Sequence, residues 1–194
     1  LKDAPYAPLD TPRFKNWFGK GQVLDAEGKP LRVYHATDAP SIEVFKNPQL
    51  GFHFAEDPAL ARNAAIKSGK RPKNIRFEEV YLNLNSPVEI SGQPNGFSPF
   101  AVFDDMYDRG YFTDAQHGAA QDAYDVLETK GFTGADFDRE AARLVRKHAG
   151  NIGVDGFRYL NTFDAGLNLS GTGQDVLPGT SYMAFDPRQI KSVF

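Results

Sequence analysis

Residues 31–40 read LRVYHATDAP. A short apolar lead delivers Tyr34, His35, Ala36 and Thr37 to the end of an expected strand, so a phenol, an imidazole and a hydroxyl stand in a row. Such a row can hold a polar ligand, because an imidazole gives or takes a hydrogen bond and a small neighbour lets a ligand approach the backbone. The same histidine alone would serve equally as a structural hydrogen-bonder. Its context is what singles it out: GFHF follows at 51–54, and a late SYMAF opens at 181. The run KSGKRPKNIR at 67–76 is strongly basic. It suits either a solvated loop or contact with phosphates, and Glu78 and Glu79 just after it weaken the field.

Several chemistries are excluded. The chain has no cysteine, which removes disulfides, thiolate nucleophiles and cysteine metal sites. Four scattered histidines give no metal-ligand spacing. There is no Gly-rich phosphate loop opening a helix and no G-x-S-x-G elbow; the Gly171-Thr172-Gly173 run is too short a signal to count. A net charge of −3 gives no general affinity for nucleic acid. No apolar run approaches the roughly 20 residues that cross a bilayer. No heptads or broad apolar stripe are visible, so a monomer is expected. The chain starts at Leu1 with no signal-peptide pattern and is expected to be a piece of something longer.

The elements that must position these residues can be read in order. The length of 194 residues suits one domain. Residues 1–12 are Pro-rich and read as an arm or linker, leaving 13–194 as the domain. Aromatics at 14, 17 and 18 have helical spacing. Two apolar runs around DAEGKP form an expected hairpin. EVF at 43–45 and GFHF are expected strands. Asp57 as cap, Pro58 in the first turn and Gly69 at the end mark a helix between them. Val80, Leu82 and Leu84 alternate along one strand that runs on to Ile90. Residues 92–118 read as loop. Helices are expected over 119–131 and 134–150, the second with Phe137, Ala141, Leu144, Val145 and His148 on one face. VDGFRYLN is a strand, 162–180 a long polar loop, and the rest a last strand with its exit. Short strands with inserted helices define an α+β fold.

The ordered set FKNWFGKGQVLDAEGKPLRVYHAT, GFHFAEDPALA, PVEI, GVDGFRYLN and SYMAFDPRQIKS resembles the ADP-ribosyltransferase domains of polyvalent proteins from phages and mobile elements. These are similar in fold to the poly(ADP-ribose) polymerase and diphtheria-toxin group. The resemblance covers about residues 12–194, except for about 92–135. It implies a split β core that binds NAD as substrate and transfers ADP-ribose to a macromolecular or small acceptor. By resemblance, His35 hydrogen-bonds a ribose hydroxyl, the backbone of Ala36 pairs with the nicotinamide carboxamide, and Thr37 lends a supporting hydroxyl, with Tyr34 in the same grip. His53, between Phe52 and Phe54, takes the place of the tyrosine that stacks on nicotinamide. A protonated imidazole there would repel the nicotinamide cation. The helix after it often supplies another aromatic, and none stands at 63–65.

In that group a glutamate opens the last core strand, and Ser181 stands at its place here. Relatives place an acid earlier, which nominates Asp164 after YLN, with Asp175 as the second candidate. Both could also be ordinary turn formers. The chemistry asks for such an acid, since loss of nicotinamide leaves positive charge at the anomeric carbon, and one nearby carboxylate offsets it. Arginine-modifying relatives carry an acid two positions earlier, and Thr162 and Gly179 occupy those places. Arginine is therefore not the expected acceptor. A degenerate binding module and an NAD glycohydrolase remain as alternatives, and a phage-injected modifier, a toxin or one domain of a polyprotein all fit as settings.

Overall fold

The computed structural model of the protein describes residues 9–40, 42, 45–46, 50–92, 98–166, 169 and 175–193. Thr11 begins the ordered elements by accepting from the Phe14 amide, with Pro12 in the first turn of α1 (Pro12–Phe18). Phe14 and Phe18 then pack on Tyr81 and Val193. A tight turn follows, in which Asp25 Oδ1 accepts from the Glu27 and Lys29 amides, and Leu24 bridges Pro30. This is the expected hairpin, and it leads into β1 (Val33–Thr37). The expected strand at 43–45 lies largely outside the described residues.

Strand β2 (Phe52–Ala55) feeds α2 (Pro58–Lys67). Asp57 caps this helix through the Ala59 amide at 2.7 Å, and Gly69 leaves it at φ +89°. The run 80–90 is two strands, β3 (Arg76–Leu82) and β4 (Pro87–Glu89), and not the expected one. Between them the Asn85 and Ser86 amides turn to the carboxylate of Asp155, at 2.7 and 3.0 Å, and so leave the ladder. The expected loop at 92–118 also needs correction. It contains α3 (Pro99–Asp108), and Thr113 starts α4 (Asp114–Thr129) with a capping box to Gln116. Helix α5 (Gly134–Asn151) buries Ala141, Leu144 and Val145 as its spacing predicts. Strand β5 (Gly156–Asn161) and strand β6 (Gly179–Ala184) follow. The expected exit holds one more strand, β7 (Ile190–Ser192), after a 3₁₀ turn at Pro187–Gln189.

The strands form one sheet in the order β4-β5-β6-β2-β1-β3-β7. Its two central strands barely meet, for β1 and β2 share the single register pair Tyr34↔Ala55. On either side the pairing is extensive: β1 with β3 from Val33 to Thr37, and β2 with β6 from Phe52 to Ala55. The core is thus split at the point where the two histidine-bearing strands part. Strand alternation assigns the faces. Val33, Phe52, Phe54, Val80, Leu82 and Tyr182 fill one side beneath Val23. On the other, Phe157, Tyr159 and Met183 pack against Val102, Phe103, Met106 and Val145 of α3 and α5. Each such side chain contributes about 1.5–3 kcal/mol on burial. Helix α2 covers the seam, laying Leu60, Ala61 and Ala65 over Ala36 and Ala55.

Candidate functional site

A cleft opens where β1 and β2 part, and it has two connected chambers. The inner one has a volume of about 250 Å³ and is walled by Tyr34, His35, Ala36, Phe54, Lys70 and Ser181, among others. The outer one, of about 470 Å³, lies between α2, the turn after β5 and the helices α4 and α5, with Lys67, Tyr124, Asp138 and Phe163 in its walls. His53, Tyr159, Asn161 and Asp164 line both. Pockets that hold small molecules and cofactors run to ~300–1,000 Å³.

His35 is fixed by rings and by one hydrogen bond. Phe45 and Phe54 lie 5.3 and 5.8 Å from its ring centre. Its Nδ1 is 2.9 Å from the carbonyl oxygen of His53. A carbonyl can only accept, so Nδ1 carries the proton. Burial holds the pKa of His35 below its ordinary value, against the His53 carbonyl and Glu78, which raise it. The neutral ring therefore presents Nε2 as an acceptor.

His53 lies on the cleft floor, where protein surrounds the ring but one side stays open to the cleft. Burial by the surrounding protein and then the nearby His35 push its pKa down to about 4. The imidazole is uncharged at neutral pH. Its Nδ1 is 3.1 Å from the hydroxyl of Tyr159. That phenol oxygen accepts from Ser181, and burial pushes the Tyr159 pKa well upward. Tyr159 then donates to His53, which fixes the Nε2–H form of that ring.

The chain of polar groups continues to a carboxylate. Asn161 Nδ2 donates to Ser181 Oγ at 3.2 Å and to Asp164 Oδ2 at 2.9 Å, and its Oδ1 accepts from the Asp164 amide at 3.0 Å. Asn63 of α2 is fully buried; it donates to the Asp164 carbonyl at 2.8 Å and accepts from the Leu169 amide at 3.1 Å. Asp164 is only 8% exposed, and its Oδ1 has no hydrogen bond. The Lys67 ammonium stands 4.0 Å from that oxygen. Burial raises the Asp164 pKa, opposed by Asn161 and Lys67. A buried carboxylate oxygen without a donor is costly to keep.

The residues singled out by sequence fall into two groups. Tyr34, His35, Ala36, His53, Phe54, Asp164 and Ser181 come together in the cleft. Ser181 is 1% exposed and sits beneath Asn161 as a support for the acid's neighbour. Thr37, Phe52 and Asp175 do not line either chamber. Thr37 is buried and accepts from the Ala39 amide, Phe52 is in the core of the opposite face, and Asp175 is exposed beside Val176. Glu56 is another acid close to β6; it takes the Tyr182 hydroxyl at 2.7 Å and lines neither chamber. Sequence reasoning missed Tyr159, Asn161 and Asn63, and took Lys67 only as part of the basic run. The alternation Phe157, Tyr159, Asn161 put the first two on one face, which was the signal available. The basic run is divided: Lys67 and Lys70 reach the cleft, while Arg71 and Lys73 are exposed outside it.

Residues 25–194 match the model of a family described as ADP-ribosyltransferase in polyvalent proteins. Comparisons with curated proteins and with solved structures returned no match.

Proposed function

Because the chain belongs to the ADP-ribosyltransferase family of polyvalent proteins, we propose that it transfers ADP-ribose from NAD to an acceptor, with Asp164 as the charged group of the site. In the reaction the bond from the nicotinamide nitrogen to the ribose C1′ breaks, and its electron pair leaves with neutral nicotinamide. A bond from C1′ to an acceptor oxygen or nitrogen forms, and the acceptor's proton passes to solvent. The observation that carries this reading is the polar chain from His53 to Asp164, which ends in a buried carboxylate oxygen lacking a hydrogen bond.

The residues present fit the substrate. His35 offers Nε2 to a ribose hydroxyl, because its Nδ1–H is already given to the His53 carbonyl. Ala36 is small and lines the inner chamber, which leaves room for a carboxamide beside its backbone. His53 is neutral at working pH and does not oppose a cationic ring. Asp164 would offer negative charge to the positive charge that develops, from a side chain only 8% exposed. Asn161 and Ser181 hold that carboxylate in place. Phe14 and Phe18 pack on Tyr81 and so belong to the domain, whose first helix already takes in Pro12 and its cap Thr11; residues 1–8 of the expected arm lie outside the described residues.

The test is nicotinamide release from NAD by the purified protein, with and without host lysate, using an NAD analogue that labels acceptors. A labelled macromolecule supports transfer. Release without label makes the protein a glycohydrolase. Binding of NAD by calorimetry with neither release nor label would show a degenerate binding module and overturn the reading.

A further inference from the structure

Lys67 is the last residue of α2, and its ammonium makes three contacts with the turn that follows β5. It donates to the Phe163 carbonyl, lies 4.6 Å from the centre of the Phe163 ring, and stands 4.0 Å from Asp164 Oδ1. Asn63, one helical turn earlier, holds the same turn through the Asp164 carbonyl. The turn is therefore fastened to α2 at two points. One of them is neutral and buried, and the other is charged and faces the cleft.

We propose that Lys67 is a positioning residue for Asp164: it pins the 162–164 turn through the Phe163 carbonyl and turns its charge to Asp164 Oδ1, the buried oxygen of that carboxylate that has no hydrogen bond. This rests on the reading of Asp164 as the charged group of the site. The neighbours of Asp164 explain why a lysine is needed. The groups facing it are Lys67 at the end of α2, Lys70 just after that helix, His53 from β2, Tyr159 from β5 and Asp138 from α5, with His35 of β1 in the same inner chamber. Both histidines are neutral, the phenol is neutral and Asp138 has the same sign as Asp164. Lys70 is drawn off by Asp38 at 3.6 Å. Among the described residues Lys67 is the cation at ion-pair distance. Burial alone drives Asp164 toward its neutral form, which carries no charge to offer.

The experiment is a carbon-13 NMR titration of the Asp164 side-chain carboxyl in the full chain, assigned by its loss in Asp164→Asn. Lys67→Met keeps the stem without the charge, and Lys67→Arg keeps the charge. The Asp164 midpoint is expected to move up in Lys67→Met and to return close to wild type in Lys67→Arg. The acid limb of nicotinamide release should move with it, so that Lys67→Met loses more activity at pH 6 than at pH 9. An unmoved midpoint, or an equal loss at both pH values, overturns the proposal. If the midpoint moves while Asp164→Asn releases nicotinamide like wild type, the lysine–aspartate link stands and the assignment of Asp164 to the reaction fails.

Discussion

Replacing Asp164 by asparagine separates a catalytic from a structural role, because the structure predicts different effects on rate and stability. The variant keeps the shape of the turn. An amide oxygen at the Oδ2 position still accepts from Asn161 Nδ2, and the backbone bond from residue 164 to Asn161 Oδ1 is untouched. What is lost is the negative charge and its 4.0 Å pairing with Lys67. A partly exposed ion pair contributes only about 0–1 kcal/mol. Burial raises the folded pKa of Asp164 above 3.8. The wild type therefore has the full benefit of this group below that value and loses it as pH rises through the folded pKa, while asparagine does not titrate. The melting temperature of D164N at pH 8 should equal or exceed that of wild type, with the difference shrinking toward pH 4. Nicotinamide release should fall by about 10²–10³-fold, or about 3–4 kcal/mol of transition-state stabilisation. Calorimetric melting and single-turnover release measure the two quantities. A variant less stable than wild type by more than about 1 kcal/mol at pH 8, or one with undiminished release, would refute the reasoning.

Three further outcomes follow from the same geometry. His35→Ala removes one acceptor for a ribose hydroxyl, so the KM for NAD should rise by about five- to tenfold, close to one hydrogen bond, with kcat little changed. His53 has a depressed folded pKa, so its contribution to stability is present above 6.5 and lost as pH falls through about 4. Over the same range its protonation should raise the KM for NAD, and His53→Phe should flatten both pH profiles. Ser181→Glu would force a longer, charged side chain into a position 1% exposed beside Asn161. It should destabilise by at least about 3 kcal/mol in denaturant titration and restore no activity.

Helix α2 was legible because its signals are local: Asp57, Pro58 and Gly69 are the cap, the first turn and the exit. Helix α3 was equally marked, by Ser98 and Pro99 before Val102, Phe103 and Met106, but nearby glycines, prolines and aromatics hid a short element. The capping box of α4 could also be read from Thr113 and Gln116. The break between β3 and β4 could not, since it depends on Asp155, far along the chain, taking two amides. The site divides in the same way. His35 and His53 were found through the order of their motifs, and Asp164 through its place after YLN. The roles of Tyr159 and Asn161 arise only when β5 pairs with β6, which sets Tyr159 opposite Ser181. That of Lys67 needs the helix end and the turn to meet across 96 residues of chain.

The single register pair between β1 and β2 has a mechanical consequence. The sheet behaves as two leaves joined by one backbone register pair and the His35–His53 hydrogen bond, one leaf carrying His35 and the other His53, Tyr159 and Ser181. Any molecule held by both leaves is a further stitch. It would add to the molecule's resistance to unfolding by mass action, about 2.7 kcal/mol at a hundred times its Kd. Amide exchange along the seam should slow as it binds, because opening the leaves would then require letting the molecule go.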